Sequence, residues 1–246
     1  MSIPNPVRRV QRVRHELRRR DVEVTRVEPI GPHFVAVTFA GEALADFVSA
    51  SFDDHVKFIF DGTDGEPVRR DYTPRRFDPV RRELTIEFAL HGEGQAARWA
   101  RQAAPGQRAT IGGPRGSMII PMDYDWHLLV GDATALPAVH RRLEELPRGT
   151  RVLAVLEAHD PAERRTMATD VDLDLRWVVS TDELLATVRD LPLPPGEGFA
   201  WGAGEASGMA RLRQVLIDAK GHPREAMRVA AYWKRGVSEH HENLEQ

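Results

Sequence analysis

Arg69-Arg70-Asp71-Tyr72-Thr73-Pro74-Arg75-Arg76, set between two apolar runs in the first half of the chain, reads as a binding strand. If Val68 to Thr73 is extended, side chains alternate, so Arg70 and Tyr72 share a face with Val68 while Asp71 and Thr73 take the other. Pro74, which has no amide hydrogen, is expected to end the pairing. An arginine fork beside an aromatic ring suits a ligand with a diphosphate at one end and a flat ring system at the other, the two parts of FAD. An edge strand with a charged rim would carry the same residues. The rest of the chain has to decide between the two.

Outward from this strand, the period of two continues in both directions. Val22 to Val27, Phe34 to Phe39, Val56 to Phe60, Leu84 to Leu90 and Arg108 to Ile111 all read as strands, punctuated by Gly31-Pro32, Gly41, Asp61-Gly62 and Asp64-Gly65. With the Val68 strand that makes six, and one helical pattern, Gly94 to Ala104, lies among them. A small six-stranded antiparallel barrel over residues 21–120 is expected. Ahead of it, residues 1–20 hold seven arginines interleaved with Val7, Val10, Val13 and Leu17. Steps of three and four predict a short basic helix with a solvated arginine face.

After Pro121 strands alternate with helices. His127 to Asp132, Val152 to Leu156, Leu175 to Val179, Gly198 to Gly202 and Met227 to Trp233 are strand-like. Helical patterns run from Ala135 to Leu146, Asp182 to Leu191 and Glu205 to Lys220. This predicts a parallel-sheet α/β domain over 121–246 that binds a nucleotide at the carboxyl ends of its strands. Gly131-Asp132-Ala133-Thr134 and Trp201-Gly202-Ala203-Gly204-Glu205 are its two strand-to-helix turns. The first is not Gly-x-Gly-x-x-Gly, and Asp132 would repel a phosphate. A simple capped helix, with Glu205 complementing the dipole, is the other reading of the second turn.

Composition bounds the chemistry. A chain of 246 residues, 41% hydrophobic and 29% charged, with net charge -3, is long enough for two cores and carries no general attraction to nucleic acid. Only three of its 34 basic residues are lysines: Lys57, Lys220 and Lys234. Zero cysteines exclude disulfides, thiol catalysis and cysteine-ligated clusters, so redox chemistry would ride on an organic cofactor. No apolar run approaches the ~18 residues of a membrane span, and the start lacks the apolar core of a signal peptide, which predicts a cytoplasmic protein without membrane insertion. His240-His241 belongs to a polar tail and is read as solvated, with no metal site expected.

A barrel followed by a nucleotide-type α/β domain is the layout of the ferredoxin-reductase-like flavoenzymes. Arg70 to Arg75 resembles the flavin motif of the siderophore-interacting proteins, the flavin-dependent ferric-siderophore reductases. The stretches His91 to Trp99, Gly112 to Ser117, Gly131 to Ala138, Trp201 to Glu205 and the closing Tyr232-Trp233-Lys234-Arg235-Gly236 resemble the same family. The resemblance implies that Arg70 holds the FAD diphosphate, Tyr72 lies against the isoalloxazine and Thr73 sits near its reactive nitrogen. His91, Gly94, Trp99, Gly116 and Ser117 would complete the flavin site. Gly131, Asp132, Thr134, Gly202, Gly204 and Glu205 would hold NADPH or NADH.

The expected activity is NAD(P)H-dependent reduction of ferric siderophores by a monomer, releasing ferrous iron. Lys57, Lys234 and Arg235 would form a basic pocket for an anionic ferric chelate. Arg164 and Arg165 would favour NADPH by pairing with its 2′-phosphate, whereas Glu157 at the end of the second α/β strand favours an unphosphorylated ribose. A general flavin or quinone reductase of the same fold, or a siderophore-binding protein without catalysis, stays open on the sequence.

Overall fold

The fifteen strands among the described residues fall into two large sheets and a two-stranded ribbon. The computed structural model describes residues 9–62, 65–90, 94–236 and 242–243. The first half runs β1 (Gln11–Arg14), β2 (Arg19–Ile30), β3 (Phe34–Ala40), β4 (Val56–Asp61), β5 (Pro67–Tyr72), β6 (Pro74–Asp78), β7 (Glu83–Ala89), α1 (Gln95–Arg101), β8 (Arg108–Gly112) and β9 (Gly116–Ile119). Seven of these strands form one antiparallel sheet in the order β5-β4-β8-β2-β3-β7-β6.

The two edges of that sheet, β5 and β6, are joined by the single residue Thr73. Two successive peptide units span no more than about 7.6 Å, so the edges must meet there and the sheet curls on itself. Here the structure corrects the sequence reading. Pro74 does not end pairing: it opens β6 and lies opposite Ile86 of β7, an edge position where a missing amide hydrogen is tolerated. The expected Val68 strand is β5, β6 is a further strand that the sequence reading did not expect, and the barrel has seven.

Inside it, Val37, Phe39, Phe58, Ile86, Phe88 and Ile111 are fully buried. Each contributes on the order of 1.5–3 kcal/mol by leaving water. Helix α1 closes one end of this core, with Trp99 4.7 Å from Phe58 and 5.7 Å from Phe88 between ring centroids.

The expected N-terminal helix is also corrected. Gln11–Arg14 is a strand paired antiparallel with Gly116–Ile119; residues 1–8 lie outside the described part. Pairing overrides the three-four spacing, and Gly116 permits it. A Cβ there would stand 2.5 Å from the Val13 carbonyl oxygen.

The second half runs β10 (Trp126–Gly131), α2 (Leu136–Glu145), β11 (Arg151–Glu157), β12 (Asp172–Val178), α3 (Thr181–Asp190), β13 (Gly198–Glu205), α4 (Ala206–Gln214), β14 (Met227–Trp233) and β15 (Glu242–Asn243). Strands β10 to β14 are parallel, in the order β12-β11-β10-β13-β14, with β15 added antiparallel at the edge. Alternation sorts their side chains to two faces. Leu129, Ala154 and Trp201 pack with α2, while Leu128, Val130, Leu153 and Val155 pack with α3 and α4. The strand order reverses direction between β10 and β13, the place where open parallel sheets bind ligands.

The two lobes are held together by buried polar contacts. Asp53, in the loop before β4, accepts hydrogen bonds from Trp201 Nε1 at 2.8 Å and Arg228 Nε at 2.6 Å. Arg75 of β6 grips Glu144 of α2 with both terminal nitrogens, at 2.8 and 2.6 Å. Arg141 of α2 donates to the carbonyl oxygens of Ser49 and Pro74.

Candidate functional site

A cleft of about 1000 Å³ runs along the junction of the lobes. The barrel supplies His55, Lys57, Arg70, Tyr72, Thr73 and Gly94; the α/β lobe supplies Asp132, Thr134, Glu157, Glu205, Trp233 and Arg235, among others. Each side is built by a recognisable local rule.

On the barrel side, alternation along β5 puts Val68, Arg70 and Tyr72 on one face, as the sequence reading has it. Tyr72 packs its ring 4.4 Å from Phe88 and 6.0 Å from Phe58, and burial pushes its hydroxyl pKa upward. Arg70 donates from Nη1 to the Arg69 carbonyl at 2.7 Å. Asp71, on the opposite face, receives Lys57 Nζ at 2.8 Å. Its other oxygen, Oδ1, is buried without a hydrogen-bond partner. Thr73, at the seam, is buried and hydrogen-bonded to the hydroxyl of Tyr232, which also reaches Asp53 at 3.4 Å. No side chain caps α1; its N-cap Gly94 and first residues Gln95, Ala96 and Ala97 face the cleft, and a Cβ on Gly94 would meet open space.

On the other side, Asp132 ties three strand ends together. Its carboxylate accepts from the Thr134 amide at 2.9 Å, the Thr134 hydroxyl at 2.5 Å, the Glu205 amide at 3.0 Å and Trp233 Nε1 at 2.8 Å. Desolvation raises its pKa although these bonds oppose the shift. Glycines make this close approach possible. A Cβ on Gly131 would lie 2.4 Å from that of Ala135 and 2.6 Å from the Ala203 oxygen, and one on Gly204 would lie 2.7 Å from Asp132 Oδ2. Glu205 caps α4 through the amides of Ser207 at 2.8 Å and Gly208 at 3.2 Å. Desolvation pushes its pKa up, but the bonds from Ser207 and Gly208 outweigh it and the net shift is downward.

The cleft thus gathers Lys57, Arg70, Tyr72, Thr73, Gly94, Asp132, Thr134, Glu205 and Arg235 from the sequence-derived set. It does not gather the others. Trp99 sits in the barrel core. Gly116 and Ser117 lie on β9, where the Ser117 hydroxyl donates to Asp54 at 2.7 Å and meets His15 Nε2 at 2.8 Å. Gly131, Gly202 and Gly204 are buried spacers behind the lining. Lys234 is exposed and outside the cleft, and His91 lies outside the described residues.

Arg165 is likewise corrected. Its Nη1 reaches Glu87 Oε2 at 2.5 Å and its guanidinium lies 4.0 Å over Phe34, so it is committed to the junction. Arg164 does not line the cleft either. Sequence reasoning missed His55, Tyr232 and Trp233 as lining residues and Asp53 as the junction's anchor. Tyr232 and Trp233 stood in a quoted motif. Asp53 carries no local signal, because its partners are over a hundred residues away.

FAD fits the barrel side of this cleft: Arg70, an uncapped helix start, the half-buried Tyr72 ring and Thr73 all line it, and the Gly94 position is open. Residues 23–65 and 61–118 match the family model of the siderophore-interacting FAD-binding domain, and residues 124–236 match that of the siderophore-interacting protein. The chain is 35% identical over 251 residues to an NADPH-dependent ferric-chelate reductase of Escherichia coli, covering 93% of this chain and 98% of the relative. It is 27% identical over 244 residues to a ferric vibriobactin reductase of Vibrio cholerae, covering 89% and 90%. The crystal structure of a siderophore utilization protein from T. fusca superposes with a TM-score of 0.88 at 36% identity, covering 93% of this chain and 97% of that one. Fold, cleft and sequence agree: the chain belongs to the siderophore-interacting protein family.

Proposed function

We propose that the chain is an FAD-containing reductase that takes electrons from a nicotinamide nucleotide and delivers them to the iron of a ferric siderophore, releasing ferrous iron in the cytoplasm. The flavin lobe is residues 21–120 and the nucleotide lobe 121–246. One observation carries the reading above others: a single cleft is lined on one side by the Arg70-Tyr72-Thr73 seam and on the other by the carboxyl ends of β10, β11 and β13. Donor and acceptor therefore share one junction.

FAD supplies what that junction needs, since it accepts a hydride and gives electrons up singly to an acceptor such as ferric iron. Reduction to the larger, softer ferrous ion loosens the hard oxygen cage of a siderophore, so the protein needs no iron ligands of its own. Arg70 holds the diphosphate by charge-assisted hydrogen bonds. Tyr72, backed by Phe88, presents a fixed ring for stacking. Thr73 is held by Tyr232, and Tyr232 by Asp53, so the residue nearest the reacting ring is positioned by both lobes. Asp132 fixes the ends of β10, β13 and β14 against which a nicotinamide lies. His55, Lys57 and Arg235 line the cleft, and Lys57 and Arg235 supply positive charge for the chelate; the Lys57 charge is partly offset by Asp71.

The test is purified protein mixed with a ferric siderophore and a ferrous-specific chromophore, before and after a reduced nicotinamide nucleotide is added. Nucleotide-dependent colour that requires bound FAD supports the reading. Chelate binding with no ferrous iron formed would make the chain a binding protein, and turnover of free flavin or quinone but not of ferric chelates would make it a general reductase.

A further inference from the structure

Glu157 is the last residue of β11, the strand beside the switch point, and it lines the cleft together with His159, Glu163, Ser180 and Thr181. In doubly wound sheets the adenosine ribose of a dinucleotide lies over this strand end. Glu157 is 7% exposed and its carboxylate is held in place. Oε2 accepts from Thr181 Oγ1 at 2.9 Å, and Oε1 lies 3.2 Å from His159 Nε2. A carboxylate has about four acceptor positions, so two remain for a ligand hydroxyl.

Of the basic groups near this strand end, two are paired with carboxylates and one lies outside the lining. Arg165 is on Glu87 and Phe34, and its Nε and Nη2 are buried. Arg164 is outside the lining. Arg211 lines the cleft but pairs with Asp182 at 2.8 Å. Glu157 and Glu163 add negative charge where the phosphate would come.

We infer that Glu157 selects the nucleotide, accepting the ribose 2′-hydroxyl and repelling a 2′-phosphate, so that this chain uses NADH in preference to NADPH. The inference rests on the reading of the cleft as a nicotinamide-nucleotide site. It parts this chain from the NADPH-dependent relative described above.

The experiment compares NAD⁺ with NADP⁺, and 5′-AMP with 2′,5′-ADP, by calorimetric titration of the flavin-loaded protein, alongside flavin reduction by NADH and NADPH. The unphosphorylated member of each pair should bind more tightly by at least about tenfold, the effect of like charge brought close without water. Glu157→Ser and Glu157→Gln should narrow that ratio by a similar factor while flavin absorbance is kept. Equal or tighter binding of NADP⁺ by the wild type overturns the inference, and so does a ratio unmoved in both variants. If a variant loses its flavin, the wild-type pairs still decide. Binding of neither nucleotide, with no flavin reduction, overturns the reading of the cleft itself and this inference with it.

Discussion

Arg70 stands on the face of β5 that carries Val68 and Tyr72, half-exposed in the cleft rather than extended into solvent. Removing it as Arg70→Ala should weaken FAD binding by about 1.5–3 kcal/mol, the range for a charged hydrogen bond. Titration of the apoprotein with FAD measures this, and unchanged affinity would place the diphosphate elsewhere. The basic pocket is divided in the structure, and so is its prediction. Lys57→Ala and Arg235→Ala should each raise KM for an anionic ferric siderophore by roughly 1.4- to fivefold, as befits an exposed charge worth about 0.2–1 kcal/mol, with the effect fading at high salt. Lys234→Ala should leave KM as it is. Steady-state kinetics at two ionic strengths separates them, and equal effects at all three positions would contradict the lining seen here.

At the scale of the element, the end of β10 depends on close backbone approach. Gly131→Ala should destabilise the protein by about 1–3 kcal/mol, because the added methyl meets Ala135 and the Ala203 oxygen. Thermal unfolding reads this, and an unchanged midpoint would mean that the turn yields freely. Such elements were largely legible beforehand. The alternation of Val56-Lys57-Phe58-Ile59-Phe60 gives its strand because one face must enter a core, and the switch from period two to strand-helix alternation after Pro121 gives the second lobe. What failed was decided by distant partners. Val10, Val13 and Leu17 have helical spacing, yet β1 pairs with β9 a hundred residues later. Pro74 looked like a strand end because a curled sheet with two edges meeting at Thr73 leaves no local mark. Arg165 read as a phosphate ligand because its partners, Phe34 and Glu87, lie in the other lobe. Within the site, Arg70, Tyr72 and Thr73 share four residues of chain and were visible together, whereas Tyr232 reaches them only through the fold.

For the whole molecule, one buried and one half-buried histidine shape the response to acid. His127 on β10 and His140 on α2 are each held at a pKa of about 4, chiefly by burial, with Arg142 and Arg165 respectively adding to the shift. In the unfolded chain each titrates near 6.5. Between those values the unfolded state binds more protons, so stability is intact above about pH 6.5 and falls toward pH 4, by up to ~3 kcal/mol per histidine. Urea midpoints across that range should decline accordingly, and midpoints flat down to pH 5 would contradict the burial. Junction and site are also coupled. Asp53 is 4% exposed and paired with Arg228, so Asp53→Ala removes a buried carboxylate from a buried guanidinium and should cost about 3–5 kcal/mol; urea unfolding measures it, and a loss below 1 kcal/mol would show that the lobes do not depend on this contact. The central claim is that one cleft carries electrons from nucleotide through FAD to ferric chelate, and anaerobic stopped-flow spectroscopy of the yellow protein tests it most directly. Reduced nicotinamide should bleach the flavin absorbance, and a ferric siderophore added next should restore it with ferrous iron appearing in step; a protein that binds FAD but is neither bleached by NADH or NADPH nor reoxidised by the chelate would contradict the account.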